Sequence, residues 1–167
     1  MKLLLTNGES GKLIITDENG KLRYSVYQDM ISFLKKTTIY DDKDSAIATI
    51  SEPSIKILRK AHVAIRGTDV CTAHKKFNIT SFFRERYDIR GLGLPWHMEY
   101  FVVGQTWTGL TGHKVAIKQN DKIMMTVTSE GGWASNNPIE LDVIEAEHEL
   151  LCISLLFASL LMEKIRI

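Results

Sequence analysis

Basic side chains are concentrated in one stretch of the chain, and they are the residues best suited to holding a charged ligand. Nine lysines and arginines lie from Lys56 to Arg90, against three acids in the same stretch. From Glu130 to Glu149 there are six acids and no lysine or arginine. Because the net charge is only +1, the uneven distribution, and not the total, predicts a surface for an anionic partner.

Seven cations of this stretch are the candidate binding residues for an anionic ligand. Each basic side chain close to an anionic membrane contributes roughly 1 kcal/mol, and salt weakens the attraction. The alternative interpretation is a set of solvated strand faces, where lysines also protect exposed edges from aggregation. Nucleic acid is disfavoured, because the balanced overall charge is not that of a dedicated binder. The seven candidates are Lys56, Arg59, Lys60, Lys75, Lys76, Arg84 and Arg86.

The other reactive residues match no catalytic or metal motif. Cys71 and His74 are three positions apart, so a regular strand points them to opposite faces, which disfavours a shared metal ion. His148-Glu149 lacks the second histidine of a zinc-protease motif, and Gly91-Leu92-Gly93 lacks the Lys-Ser/Thr of a phosphate loop. The sequence therefore predicts a protein that is not an enzyme and has no metal or cofactor.

Strand, turn and strand repeat along most of the chain. Leu13 and Ile15 alternate with polar residues, Asn19-Gly20 supplies a turn, and alternation resumes at Leu22. An Asn-Gly pair between alternating segments is a strong hairpin signal. Comparable units predict a β meander that closes into a barrel. The four predicted hairpins cover residues 13–26, 37–50, 62–72 and 114–128.

The C-terminal segment breaks this pattern and predicts a helix. Strands are expected over about residues 2–142 and one helix over about 143–164, in a single domain covering residues 1–167. Asp142 and Glu145 have the spacing of a capping box. The helix is apolar on every side and must therefore be buried on every side, most simply by passing through the barrel. Its apolar run, residues 150–162, is shorter than the about 20 residues that span a bilayer, so no ordinary transmembrane span is predicted.

These features together resemble the LURP-one-related family, whose fold is that of the tubby C-terminal domain. The resemblance covers nearly the whole chain through the order and spacing of its segments. It implies a closed antiparallel barrel of about twelve strands around a central hydrophobic helix. The residues that carry it are Lys75-Lys76-Phe77-Asn78-Ile79-Thr80, Arg86-Tyr87-Asp88-Ile89, Trp96-His97-Met98-Glu99-Tyr100, Ile139-Glu140-Leu141-Asp142 and Glu147-His148-Glu149-Leu150-Leu151.

The resemblance also implies kinship with phosphoinositide-binding tubby domains and with phospholipid scramblases. The functional hypothesis is therefore a non-enzymatic binding module for anionic phospholipid or phosphoinositide headgroups, peripheral to a membrane. The alternative is a protein-interaction or scaffold domain with no lipid ligand. The two cysteines, Cys71 and Cys152, are too few for a disulfide framework, which favours a reducing, cytoplasmic location.

Overall fold

The computed structural model describes residues 1–29, 35–53, 59–76, 84–102, 105–106, 109–110, 112–131, 133 and 137–163. One α-helix, α1, covers Glu149–Glu163 and follows a short 3₁₀ turn at Ala146–His148. The strands are β1 (Lys2–Asn7), β2 (Lys12–Asp17), β3 (Leu22–Asp29), β4 (Lys36–Tyr40), β5 (Ala46–Ser51), β6 (Lys60–Ile65), β7 (Thr68–Lys76), β8 (Arg84–Arg90), β9 (Trp96–Val102), β10 (Gln105–Thr106), β11 (Gly109–Leu110), β12 (Gly112–Gln119), β13 (Lys122–Glu130) and β14 (Ile139–Val143).

Twelve of these strands close into one antiparallel barrel. Their order around the barrel is β1-β14-β13-β12-β9-β8-β7-β6-β5-β4-β3-β2, and β10 pairs separately with β11. The ring closes where β1 pairs with β2 on one side and with β14 on the other. Neighbours around most of the ring are also neighbours in sequence, as a meander requires. The predicted barrel is confirmed, and its closure removes the exposed sheet edges that invite aggregation.

The four predicted hairpins are present, and local polar chemistry fixes their turns. The Asp17 carboxylate accepts hydrogen bonds from the backbone N–H groups of Asn19 and Lys21, each at 2.9 Å. Asp41 repeats this arrangement in the β4–β5 turn. The β6–β7 turn is tighter, with Arg66 and Gly67 both at positive φ. Two central residues at positive φ match the right-handed twist of the flanking strands.

The helix α1 fills the barrel interior, as its all-round apolar surface predicts. Leu155, Leu156 and Phe157 are fully buried, on different sides of the helix. Two serines are also buried there, and both hydroxyls are satisfied by the helix itself. Ser154 donates to the Leu150 carbonyl at 2.7 Å, and Ser159 donates to a carbonyl one turn earlier at 2.6 Å. Burial of these hydroxyls therefore leaves no unpaired donor.

The helix begins at Glu149, later than the position near residue 143 that the sequence indicates. The alternation of Ile139, Leu141 and Val143 continues the strand instead, and β14 pairs with both β1 and β13. Asp142 consequently lies in a strand and does not cap the helix. No helix in the described part of the chain has both the length and the apolar character needed to cross a membrane.

Candidate functional site

The outer side of β6, β7 and β8 carries a continuous group of cations. Alternation along each strand points one set of residues into the barrel and the other set to solvent. Pairing brings the outward set together in rows, with Lys60 opposite His74, His74 opposite Asp88, and Lys76 opposite Arg86. We call this group the cationic face, and it consists of Lys60, His62, His74, Lys76, Arg86, Asp88 and Arg90.

The cationic face has a net positive charge even with its histidines neutral. Among its members, four cations accompany one carboxylate, that of Asp88, which leaves three positive charges. Lys76 Nζ lies 2.6 Å from Asp88 Oδ2, and Arg86 Nε lies 3.2 Å from Oδ1. Neither Lys60 nor Arg90 forms an ion pair with another described residue. The arrangement therefore leaves positive charge available to an external anion.

The Asp88 carboxylate organises two of these cations. Burial acts to raise its pKa, but the hydrogen bonds from Lys76 and Arg86 outweigh burial and hold the pKa below its usual value. Asp88 is consequently ionised at neutral pH and keeps the two cationic side chains close to the sheet. Such fixed cations lose less conformational freedom on binding than free ones.

A second group of charges lies where the helix ends, at one mouth of the barrel. Lys75 Nζ lies 2.7 Å from Glu163 Oε1 and 2.8 Å from Glu85 Oε1. Tyr87 donates a hydrogen bond to Glu163 at 2.8 Å, and Arg59 Nη1 lies 3.4 Å from Glu163 Oε2. We call these five residues the rim network.

The rim network ties the last turn of α1 to strands β7 and β8. Lys75 is 12% exposed and Glu163 is 17% exposed, so this pair is largely withdrawn from water. Burial is the main cause that raises the pKa of Tyr87, followed by the neighbouring Tyr100 and by the carboxylates of Glu163 and Glu85. The Tyr87 hydroxyl is therefore a permanent donor. The network is suited to fixing the helix end, and its cations already have carboxylate partners.

The structure places five of the seven candidate residues in these two regions. Lys60, Lys76 and Arg86 lie on the cationic face. Arg59 and Lys75 belong to the rim network. Arg84 is in β8, but its side chain is outside the described residues, as is the whole of Lys56.

Three basic members of the cationic face, His62, His74 and Arg90, are additions to the candidate set. Strand parity is the signal that finds them, because they have even numbers like Lys60, Lys76 and Arg86 on the same three strands. His62 is held by Thr72, whose Oγ1 lies 3.1 Å from His62 Nδ1. His74 lies on the opposite face from Cys71, as alternation predicts; burial raises the pKa of the Cys71 thiol to about 11.

The opposite mouth of the barrel holds the start of the helix. Arg23 makes a two-pronged contact with the buried Glu149 carboxylate, with Nη2 2.9 Å from Oε2. Beside it, Glu145, Glu147 and His148 place one ligand atom each within 4.8 Å of one another, close enough for a metal ion. Lys122 already pairs with Glu145, and a lysine ammonium in this position disfavours a second cation.

Comparison with known proteins supports the architecture. The sequence model of the LURP-one-related family matches residues 1–158. The chain also resembles an X-ray structure of a protein from Arabidopsis thaliana, with a TM-score of 0.55 and 14% sequence identity. That match covers 95% of this chain and 88% of the other. No curated protein sequence matches the chain. At this identity the structural likeness establishes the fold alone.

Proposed function

Because this chain belongs to the LURP-one-related family and has a net positive outer face, we propose that it is a non-enzymatic module that binds anionic phospholipid headgroups. The observation that carries the proposal is the three-charge excess of the cationic face, with Lys60 and Arg90 free of ion pairs with other described residues. Binding is favoured over catalysis because these groups point outward from a sheet, where they meet a surface and do not enclose a substrate.

The net charge of the cationic face sets the expected strength of membrane binding. At roughly 1 kcal/mol for each basic residue near an anionic membrane, three net charges give about 3 kcal/mol. This corresponds to a preference of roughly 100-fold for anionic over neutral membrane. Such binding is peripheral and reversible, and it falls with salt because the Debye length is only about 8 Å at physiological ionic strength.

The proposal assigns headgroup binding to only some of the cations in the basic stretch. Lys60, Lys76, Arg86 and Arg90 carry it, since they share one accessible surface. Arg59 and Lys75 contribute less, because carboxylates of the rim network already neutralise them. We also propose a reducing, cytoplasmic location, peripheral to a membrane, since Cys71 and Cys152 are both free thiols.

Co-sedimentation with vesicles tests the proposal. The purified protein is mixed with phosphatidylcholine vesicles, with or without phosphatidylglycerol, at low and at physiological salt. We expect sedimentation with the anionic vesicles only, weakened by salt. The triple variant Lys60→Glu, Lys76→Glu, Arg90→Glu should lose this binding, because the face becomes negative.

A matched triple variant separates location from net charge. Lys2→Glu, Lys12→Glu, Lys21→Glu makes the same change in total charge on β1, β2 and the β2–β3 turn, on the side of the ring across from β7. We expect it to bind nearly as the natural sequence does. Equal loss in both triple variants would contradict the assigned surface. Absence of binding in the natural sequence would favour the alternative, a protein-interaction domain with no lipid ligand.

A further inference from the structure

Two histidines, His62 and His74, lie inside the cationic face. His74 is opposite Lys60 on one side and opposite Asp88 on the other. His62 is one row away, opposite Thr72, which is itself opposite Arg90. Directly opposed residues in a sheet have Cβ atoms about 4.5–5.5 Å apart. Both imidazoles are therefore within the field of any anion that the face binds.

The surroundings of His74 disfavour its charged form when no anion is bound. Partial burial lowers its pKa first, and the positive charges of Arg90, Lys60 and His62 lower it further, against the opposing effect of Asp88. A bound phosphate group supplies the negative charge that this cluster lacks. The charged and polar groups that face His74 are Lys60 and His62 on β6, Thr72 and Lys76 on β7, and Arg86, Asp88 and Arg90 on β8.

We propose that anionic phospholipid binding at the cationic face is coupled to proton uptake by His74, so that affinity rises as pH falls. This inference rests on the proposed function and adds its regulation. The coupling is reciprocal, because a ligand that favours protonated His74 must bind the protonated protein more tightly. Protonation changes the net charge of the face from three to four. The added charge strengthens binding about fivefold.

The test measures binding to phosphatidylglycerol-containing vesicles at about pH 7.5 and about pH 5, on either side of the ordinary histidine range. Phosphatidylglycerol is the chosen lipid because its phosphodiester stays ionised throughout that range. We expect tighter binding at the lower pH for the natural sequence. The variant His74→Gln should lose most of the increase in binding that the natural sequence shows at the lower pH. Glutamine keeps a hydrogen-bonding group at this position without a titrating charge.

A histidine outside the face provides the matched control. His148→Gln replaces a histidine beside Glu145 and Glu147, at the mouth where α1 begins. It should retain the full pH dependence. Circular dichroism at both pH values establishes that each variant remains folded.

The outcomes separate this inference from the proposed function. Absence of binding at either pH would overturn both. Binding that is equally tight at the two pH values would overturn the coupling alone. A full pH response in the His74 variant would overturn the assignment to His74, and would point to His97, which is opposite Asp88 on β9.

Discussion

Lys75 and Lys76 are adjacent in the sequence, yet they lie on opposite sides of the barrel wall. Lys75 is 12% exposed and contacts two carboxylates of the rim network. Lys76 is 57% exposed and shares Asp88 with Arg86 on the cationic face. The strand period of two produces the separation. Positive charge in a sequence stretch therefore divides into a structural part and an accessible part.

The difference between the two lysines shows that the position of the helix end determines which basic residues are paired with carboxylates. Glu163, at the end of α1, pairs with the partly buried Lys75 and with the exposed Arg59. A charge count along the sequence overstates the charge available to a ligand, because it includes Arg59 and Lys75, whose charges the rim carboxylates already balance. The count over a single face is the quantity that matters for a membrane surface.

Truncating a buried side chain of α1 should have the largest effect on the free energy of unfolding. Leu156→Ala replaces a fully buried side chain of α1, and the resulting cavity should lower the free energy of unfolding by about 2–5 kcal/mol. Urea unfolding measures the change. Ile123→Ala, at an exposed position of β13, is the control and should change stability by less than about 0.5 kcal/mol. Equal stability of the two variants would contradict a helix packed on all sides.

The two adjacent lysines should separate stability from binding. Lys75→Met leaves Glu163 and Glu85 without their shared partner and should lower the free energy of unfolding by about 1–3 kcal/mol. Lys76→Met removes an exposed ion pair and should lower it by less than about 1 kcal/mol. Vesicle binding should change in the opposite order, with the larger loss in the Lys76 variant. Chemical unfolding and co-sedimentation on the same preparations measure both.

Either of two results would remove the distinction between these lysines. One is a Lys75 variant that unfolds like the natural sequence, since the rim network would then contribute nothing to stability. The other is an equal loss of vesicle binding in the two variants. Methionine is the chosen replacement because its length preserves most of the lysine stem's packing.

Most of the fold could be predicted from the sequence, because its signals are local. The Asn19-Gly20 turn and the alternation around it identify a hairpin without reference to the rest of the chain. The burial of α1 follows from its composition alone. The start of the helix was misplaced because Asp142 and Glu145 have the spacing of a cap, whereas Asp142 lies in a strand between β1 and β13. Pairing partners distant in sequence decide that boundary.

The candidate site was predictable only in part, for the same reason. Parity along β6, β7 and β8 groups Lys60, Lys76 and Arg86, and it could also have identified Arg90. Neutralisation of Lys75 by Glu163 depends on where the helix ends in space, 88 positions further along the chain. A sequence pattern does not contain that distance.

Asp88→Asn should have the smallest effect on stability. It tests the cationic face by removing the carboxylate that Lys76 and Arg86 share. Burial tends to raise the Asp88 pKa, but hydrogen bonds from Lys76 and Arg86 bring it below the usual value. The carboxylate therefore stabilises the fold above about pH 4, and that stabilisation is lost as the pH falls through the folded-state pKa. Stability of the variant should consequently decline less on acidification, while its stability at neutral pH falls by less than about 1 kcal/mol. Unfolding curves between neutral and acidic pH measure this, with Glu18→Gln in an exposed turn as the control.

Because Asp88→Asn raises the net charge of the cationic face from three to four, its binding to anionic vesicles should strengthen about fivefold. Weaker binding would mean that Asp88 holds Lys76 and Arg86 in the geometry that a headgroup requires, and that orientation outweighs net charge on this face.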